Sequence, residues 1–122
     1  MDADREQIAN LLARHGLALI DSFPVGLALT DGSLRVLYAN AYFKEIICRE
    51  KVCGEFIHDM ITLSTLSRET PQEIIATLNA GRSWSGETIF LDASGRARNG
   101  SLFLSPSVNG GKTELILLTI RD

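Results

Sequence analysis

The last segment of the chain, Thr113–Arg121, constrains the fold most because it is apolar at both strand parities. Successive side chains of a β-strand point to opposite faces of the sheet. A strand that is apolar on both faces needs cover on both. We therefore expect a sheet whose second face is also covered, by an N-terminal helix, by a partner subunit or by both. The two alternating sets are Leu115, Leu117 and Thr119, and Ile116, Leu118 and Ile120.

Four further segments have the composition and length of strands, and each ends at a turn rich in Gly, Asn or Asp. The first two flank Asp31-Gly32, which is typical of a hairpin. In the third, the alternation places Trp84 and Phe90 on one face and Ile89 on the other. The four segments are Val25–Thr30, Leu34–Tyr38, Trp84–Asp92, and one from Arg98 or Gly100 to about Val108.

The first helical signal lies at the N-terminus. Residues 3–22 carry apolar side chains at nearly helical spacing and predict an amphipathic helix that Phe23-Pro24 ends. A short helix is predicted over Ala41–Ile47, where Asn40 can accept a free backbone N–H as its N-cap. One or two helical turns are expected around Phe56–Ile61.

The next helix is marked at both ends. Thr70, Pro71 and Glu73 form a capping box with proline at the first helical position, and Gly81 suits the left-handed position after the last turn. The order is thus one helix, two strands, short helices, a capped helix and three strands. This order predicts an α+β fold with a five-stranded antiparallel sheet, short helices over one face, and the N-terminal helix in addition.

Composition excludes several classes of protein. The chain has 122 residues, 45% of them apolar and 22% charged, which indicates one globular domain. A net charge of −3 and a pI of about 5.3 disfavour nucleic-acid binding. The sequence holds no long apolar run, its acidic N-terminus is unlike a secretory signal, and its two cysteines do not form a disulfide framework. We expect a cytoplasmic protein without direct membrane contact.

The motifs, taken in order, resemble those of a PAS sensory domain from Phe23 to Asp122. Residues 23–31 resemble the first strand of that family, residues 37–43 its strand-to-helix step, and residues 81–87 its step into the third strand. Gly54, the turn at residues 92–95 and the terminal Ile120-Arg121-Asp122 also match. The resemblance implies the fold predicted above and a sensor of ligands, redox state or light. It implies dimerisation and an output domain in a longer protein: a histidine kinase, a cyclic-di-nucleotide enzyme or a transcription regulator.

The resemblance also implies a small-molecule pocket between the helices and the sheet. The same residues would form a filled core, and the sequence leaves both alternatives open. We expect no metal and no cofactor. Haem with His58 as its ligand and FAD beside Trp84 are the alternatives. The predicted pocket residues are Leu27, Leu29, Phe43, Ile57, Ile75, Leu78, Trp84 and Phe90.

The N-terminal helix and the outer face of the sheet are the predicted dimer interface. Residues 1–22 would form a dimerising or linking helix and residues 23–122 the sensor domain. We expect a homodimer that has no catalytic residues and acts as a sensory and signal-transduction module. The alternative is a small enzyme or ligand carrier whose acid–base site combines His58 with Asp59 or Glu87. The predicted interface residues are Ile8, Leu11, Leu12, His15, Leu19, Ile116 and Leu118.

Overall fold

The structure is a computed structural model that describes residues 2–63, 70–91 and 94–121. The long N-terminal helix forms over the predicted range, and the short and capped helices occur where the sequence places them. The turn predicted at residues 92–95 lies partly outside the described residues. In chain order the elements are α1 (Asp2–Ser22), β1 (Gly26–Thr30), β2 (Val36–Ala39), α2 (Ala41–Ile47), α3 (Ile57–Met60), β3 (Thr62–Leu63), α4 (Pro71–Asn79), β4 (Trp84–Leu91), β5 (Ala97–Asn109) and β6 (Lys112–Arg121).

The strands form one antiparallel sheet in the order β2-β1-β6-β5-β4-β3. The five predicted strands are confirmed. The two-residue strand β3 joins the edge of β4, opposite Thr88 and Ile89, and was not predicted. Strand β6 lies in the middle of the sheet between β1 and β5, with Ile116, Leu118 and Ile120 buried and Leu117 exposed on the opposite side.

Helices α2, α3 and α4 cover one face of the sheet, which we call the inner face. The core between them and the sheet is formed by buried apolar residues of every layer. Burying each large apolar side chain contributes roughly 1.5–3 kcal/mol to folding. Among the fully buried side chains are Phe43, Ile57, Ile74, Leu78, Leu102, Leu104, Ile116, Leu118 and Ile120.

The inner side of β1 carries small residues because α2 lies very close to it. A Cβ added to Gly26 would lie 2.6 Å from Cγ2 of Ile120 and 3.2 Å from the Cα atom of Phe43. Ala28 and Thr30 continue the inner row and are fully buried. The larger Leu27 and Leu29 therefore point to the opposite side, which we call the outer face.

Helix α4 has the caps that the sequence predicts at both of its ends. The Thr70 hydroxyl accepts a hydrogen bond from the Glu73 N–H at 3.2 Å, and Pro71 occupies the first turn. Gly81 has a φ of 82° and donates its N–H to the Leu78 carbonyl. From there the chain continues into β4. In α4 the apolar residues Ile74 and Leu78 are buried.

Asp31 organises the connection between β1 and β2. Its Oδ1 accepts hydrogen bonds from the N–H groups of Ser33 and Arg35 at 2.9 and 3.0 Å. Burial raises the pKa of this carboxyl, but these hydrogen bonds and the charge of Arg35 outweigh burial and lower the pKa below its ordinary value. The turn also holds the buried Leu34 at a φ of 69°.

Candidate functional site

The predicted pocket residues are divided between the two faces of the sheet. Leu27 and Leu29 lie on the outer face, in register with Thr119 and Leu117. Their assignment to the pocket is wrong, because the close approach of α2 leaves room only for small residues on the inner side of β1. The others lie between the helices and the sheet: Phe43, Ile57, Leu78, Trp84 and Phe90 in the core, and Ile75 packed against it.

The inner face around Trp84 is filled by aromatic side chains. A Cβ added to Gly86 would lie 2.7 Å from Cη2 of Trp84, so the indole ring lies over Gly86. In the same way, a Cβ on Gly100 would lie 3.0 Å from Cε1 of Phe90. Both aromatic residues are buried. In the described part of the interior, this packing favours a filled core over an open pocket.

A surface cleft of about 380 Å³ opens between α3 and the end of β4. Buried apolar residues, Met60, Ile61 and Phe90 among them, form its floor. The exposed Arg49, His58 and Asp59 also line it. The cleft brings together Phe90 and His58, which the sequence assigned to different kinds of site.

His58 does not point into the space between the helices and the sheet. It is exposed, and its ring centroid lies 5.3 Å from that of Phe56. In the same helix, Ile57 and Met60 are the residues that turn towards the core. The described residues therefore do not fit an interior haem held by His58.

The described residues also do not fit a flavin between the helices and the sheet. Cys48 and Cys53 are both exposed, and their thiols donate to the carbonyls of Glu45 and Leu37, so neither faces the core. Trp84 covers the inner face at Gly86. An FAD ring beside Trp84 would require this side chain to leave its packed position.

The residues of the predicted acid–base site are not brought together. His58 and Asp59 lie on α3, whereas Glu87 lies on the outer face of β4, in a groove with Phe103 and Arg121. Within residues 2–63, 70–91 and 94–121, no group of three or more His, Cys, Asp and Glu side chains could hold a metal ion. In the same residues, we find no helix long and apolar enough to cross a membrane.

Asn40 forms a buried junction between three elements. Its Oδ1 accepts hydrogen bonds from the N–H groups of Leu27 and Phe43 at 3.0 and 2.9 Å. Its Nδ2 donates to the carbonyls of Ile20 and Val25 at 2.8 and 2.9 Å. One side chain thus caps α2 and joins it to the start of β1 and to the last turn of α1.

A second contact fixes the end of α1 to the outer side of the sheet. Tyr38 lies opposite Leu29 in the β1–β2 pair, so its side chain belongs to the outer face. A hydrogen bond with the Asp21 carboxylate raises the pKa of Tyr38 to about 12. The last turn of α1 therefore contacts the outer side of the sheet at β2.

Beyond this attachment, α1 is largely exposed to solvent. Every α1 side chain that the structure describes between Asp4 and Leu19 is exposed. Apolar residues are among them: Ile8 is 56% exposed, Leu11 42% and Leu19 54%. His15 is exposed between them, and the side chain of Leu12 lies outside the description.

The outer face also carries exposed apolar residues. Leu117 is 38% and Phe103 45% exposed. Ile116 and Leu118 were predicted for this surface, but both are fully buried among the core residues. Their assignment to the interface is wrong, because β6 is apolar at both parities and only the paired strands decide which set faces α2, α3 and α4.

The junction at Asn40 was only partly visible in the sequence. Its place before an apolar helical segment predicted the N-cap, which is confirmed. Its links to Ile20 and Val25 were missed because they run to main-chain carbonyls, which leave no side-chain signal.

The sequence profile of the PAS fold matches residues 20–122. No curated protein matches the chain. A solved PAS domain of an HTR-like protein from Haloarcula marismortui is 15% identical, with a TM-score of 0.69 over 98% of both chains.

Two further solved structures share the fold at low identity. A PAS domain from a two-component sensor histidine kinase is 13% identical, with a TM-score of 0.71 over 93% of this chain and 97% of that one. An RNA-binding Light-Oxygen-Voltage receptor is 18% identical, with a TM-score of 0.76 over 93% of this chain and 33% of the receptor. The strand order, the helices over the inner face and the profile match over residues 20–122 show that this chain belongs to the PAS fold family.

Proposed function

We propose that this chain is a sensory module that pairs with a second copy of itself through α1 and the outer face. In this proposal it passes a conformational change to an output domain outside the chain, a histidine kinase, a cyclic-di-nucleotide enzyme or a transcription regulator. Membership of a family that is generally sensory supports the first part. One of the similar structures is a domain from a two-component sensor histidine kinase, which supports the second.

The exposed helix α1 is the observation that carries the proposal. Most helices in proteins are stabilised by packing an apolar face rather than by intrinsic propensity. The described part of α1 has no such packing within its own chain between Asp4 and Leu19. A second copy offers the same apolar surface in return, as two-fold symmetric pairing requires.

The outer face extends this surface. Because Asp21 is hydrogen-bonded to Tyr38 on the outer side, the last turn of α1 lies on the same side of the sheet as the exposed Leu117 and Phe103. A second copy seated on α1 would also reach these residues. The second cover for the sheet, which the sequence predicts, would then come from the pair rather than from the single chain.

Asn40 supplies a route from the covered inner face to α1. It holds the first turn of α2, which packs on the inner face, and the Ile20 carbonyl in the last turn of α1. A ligand in the cleft at His58 and Phe90, or a change in a partner, would shift the population of two arrangements of these elements. No residue of this route needs to act in catalysis.

Sedimentation equilibrium of the full chain and its Leu11→Glu variant tests the proposal. We expect the unchanged chain to form a dimer, and Leu11→Glu to be a monomer because a carboxylate would be buried at the contact. Circular dichroism of the sheet signal checks that the variant is folded. Leu11 is 42% exposed and is not one of the core residues, so the fold of the domain should persist.

Leu17→Glu is the matched control. Leu17 is 56% exposed and lies on the side of α1 opposite to Leu11 and His15. Its replacement by glutamate changes the net charge by the same amount as Leu11→Glu. It should leave the dimer intact. A monomeric unchanged chain, or equal weakening by the two substitutions, would contradict pairing through this face.

A further inference from the structure

One face of α1 repeats at the spacing of a coiled coil. Ile8, Leu11, His15 and Ala18 are separated by three, four and three residues, which is the pattern of the two core positions of a heptad. All four are exposed in the single chain. We call this set the α1 seam. A 3.5-residue repeat suits packing against another helix, and the second copy in the proposed dimer supplies an identical one.

Histidine is the side chain whose charge changes most readily near neutral pH, and His15 is the histidine of the α1 seam. Its neighbours one turn away on the same side are Leu11, Ala18 and Leu19, which have no charge. Arg14 precedes it and is the charged residue of α1 within one turn. Asp4 lies three turns away, about 16 Å along the axis.

The rest of the domain does not reach His15. The hydrogen bonds that the structure describes between α1 and the domain involve Ile20 and Asp21, more than one turn further along. In a parallel pair the groups that face His15 are those of the second α1 at the same level: the same leucines, its own His15 and its Arg14. None of these groups is an acid that could balance a charged imidazole.

We propose that protonation of His15 weakens the pairing of α1 with a second copy, so that the dimer forms at neutral pH and separates in mildly acidic conditions. This inference rests on the dimer of the proposed function and adds its regulation. In a parallel pair, packing between leucine side chains removes the imidazole from water, which disfavours its charged form. The positive Arg14 acts in the same direction.

The direction of the pH effect follows from the number of protons that the monomer and the dimer bind. His15 is exposed to water in the single chain, whereas the proposed dimer would bury it between leucine side chains. The monomer thus binds more protons in acid, and lowering the pH drives the equilibrium towards it. Stability of the dimer is complete above the range in which a free histidine titrates and falls as the pH passes through that range.

Sedimentation equilibrium of the full chain at about pH 8 and about pH 5.5 tests the inference. We expect the dimer dissociation constant to rise by about tenfold or more at the lower pH, because each dimer would remove two His15 side chains from water. His15→Gln keeps a polar, uncharged side chain in the α1 seam. It should dimerise with the same constant at both values.

His58→Gln is the control, since His58 is the other histidine of the chain and lies on α3. It should respond to pH like the unchanged chain. Equal dissociation constants at both pH values, a response that survives in His15→Gln, or one that is lost in His58→Gln would each overturn this inference while the dimer itself stands. A chain that is monomeric at about pH 8 would overturn the proposed function, and this inference with it.

Discussion

At the scale of single residues, the Asn40 side chain joins three elements of the fold. It is fully buried and makes four side-chain hydrogen bonds, to groups in α1, α2 and the β1 region. Buried polar groups that lose their partners cost more than an ordinary hydrogen bond contributes. Its capping role was predictable from the sequence because an N-cap needs only a residue type and a following helical pattern. Its role as a junction was not.

Replacing Asn40 tests the junction. We expect Asn40→Ala to lower the free energy of unfolding by about 3 kcal/mol, because one cap and several buried hydrogen bonds are lost together. Thr70→Ala removes the exposed N-cap of α4 and should cost about 1 kcal/mol. Urea denaturation of both variants gives the comparison. Similar losses would show that Asn40 is an ordinary cap.

Replacing Gly86 tests the filled inner face. A methyl group there would meet the Trp84 ring, so we expect Gly86→Ala to destabilise the domain by about 2 kcal/mol. Trp84 is the only tryptophan, and its fluorescence should shift to the red as the ring becomes exposed. Gly16→Ala is the matched control, since nothing lies within 4 Å of its added Cβ, and should raise helix content. Unchanged fluorescence in Gly86→Ala would indicate free space beside Trp84.

At the scale of elements, the sequence predicted what local rules decide. The ends of α4 followed from Thr70, Pro71 and Gly81, and the strand segments followed from their composition and turns. Which side of a strand faces the core is not decided locally when both sides are apolar. In β1 the smaller residues face inwards because α2 lies close to Gly26, and this long-range contact has no signal in the strand itself.

The assignment of the two faces of β6 is tested by a pair of neighbours. Ile116 is fully buried, so Ile116→Ala should lower the free energy of unfolding by about 3 kcal/mol. Leu117 is 38% exposed on the outer face, so Leu117→Ala should cost about 1 kcal/mol in the single chain. Thermal or urea unfolding at low protein concentration measures both. The reverse order would place Leu117 in the core.

At the scale of the whole molecule, the domain is complete on one side and open on the other. Helices α2, α3 and α4 cover the inner face, while α1 and the outer face expose leucine and phenylalanine side chains. The sequence indicated this second covering because β6 is apolar on both sides. The second copy lies outside the single chain. Covering of the outer face therefore remains a prediction from the sequence and a part of the proposed function.

Hydrogen–deuterium exchange of the full chain at a high and a low protein concentration tests this pairing most directly. If a second copy stabilises α1, the amides of residues 6–19 should be protected at the high concentration and exchange rapidly on dilution. Those of β5 and β6 should stay protected at both, because their hydrogen bonds lie within one chain. Exchange in α1 that does not change with concentration would contradict the account.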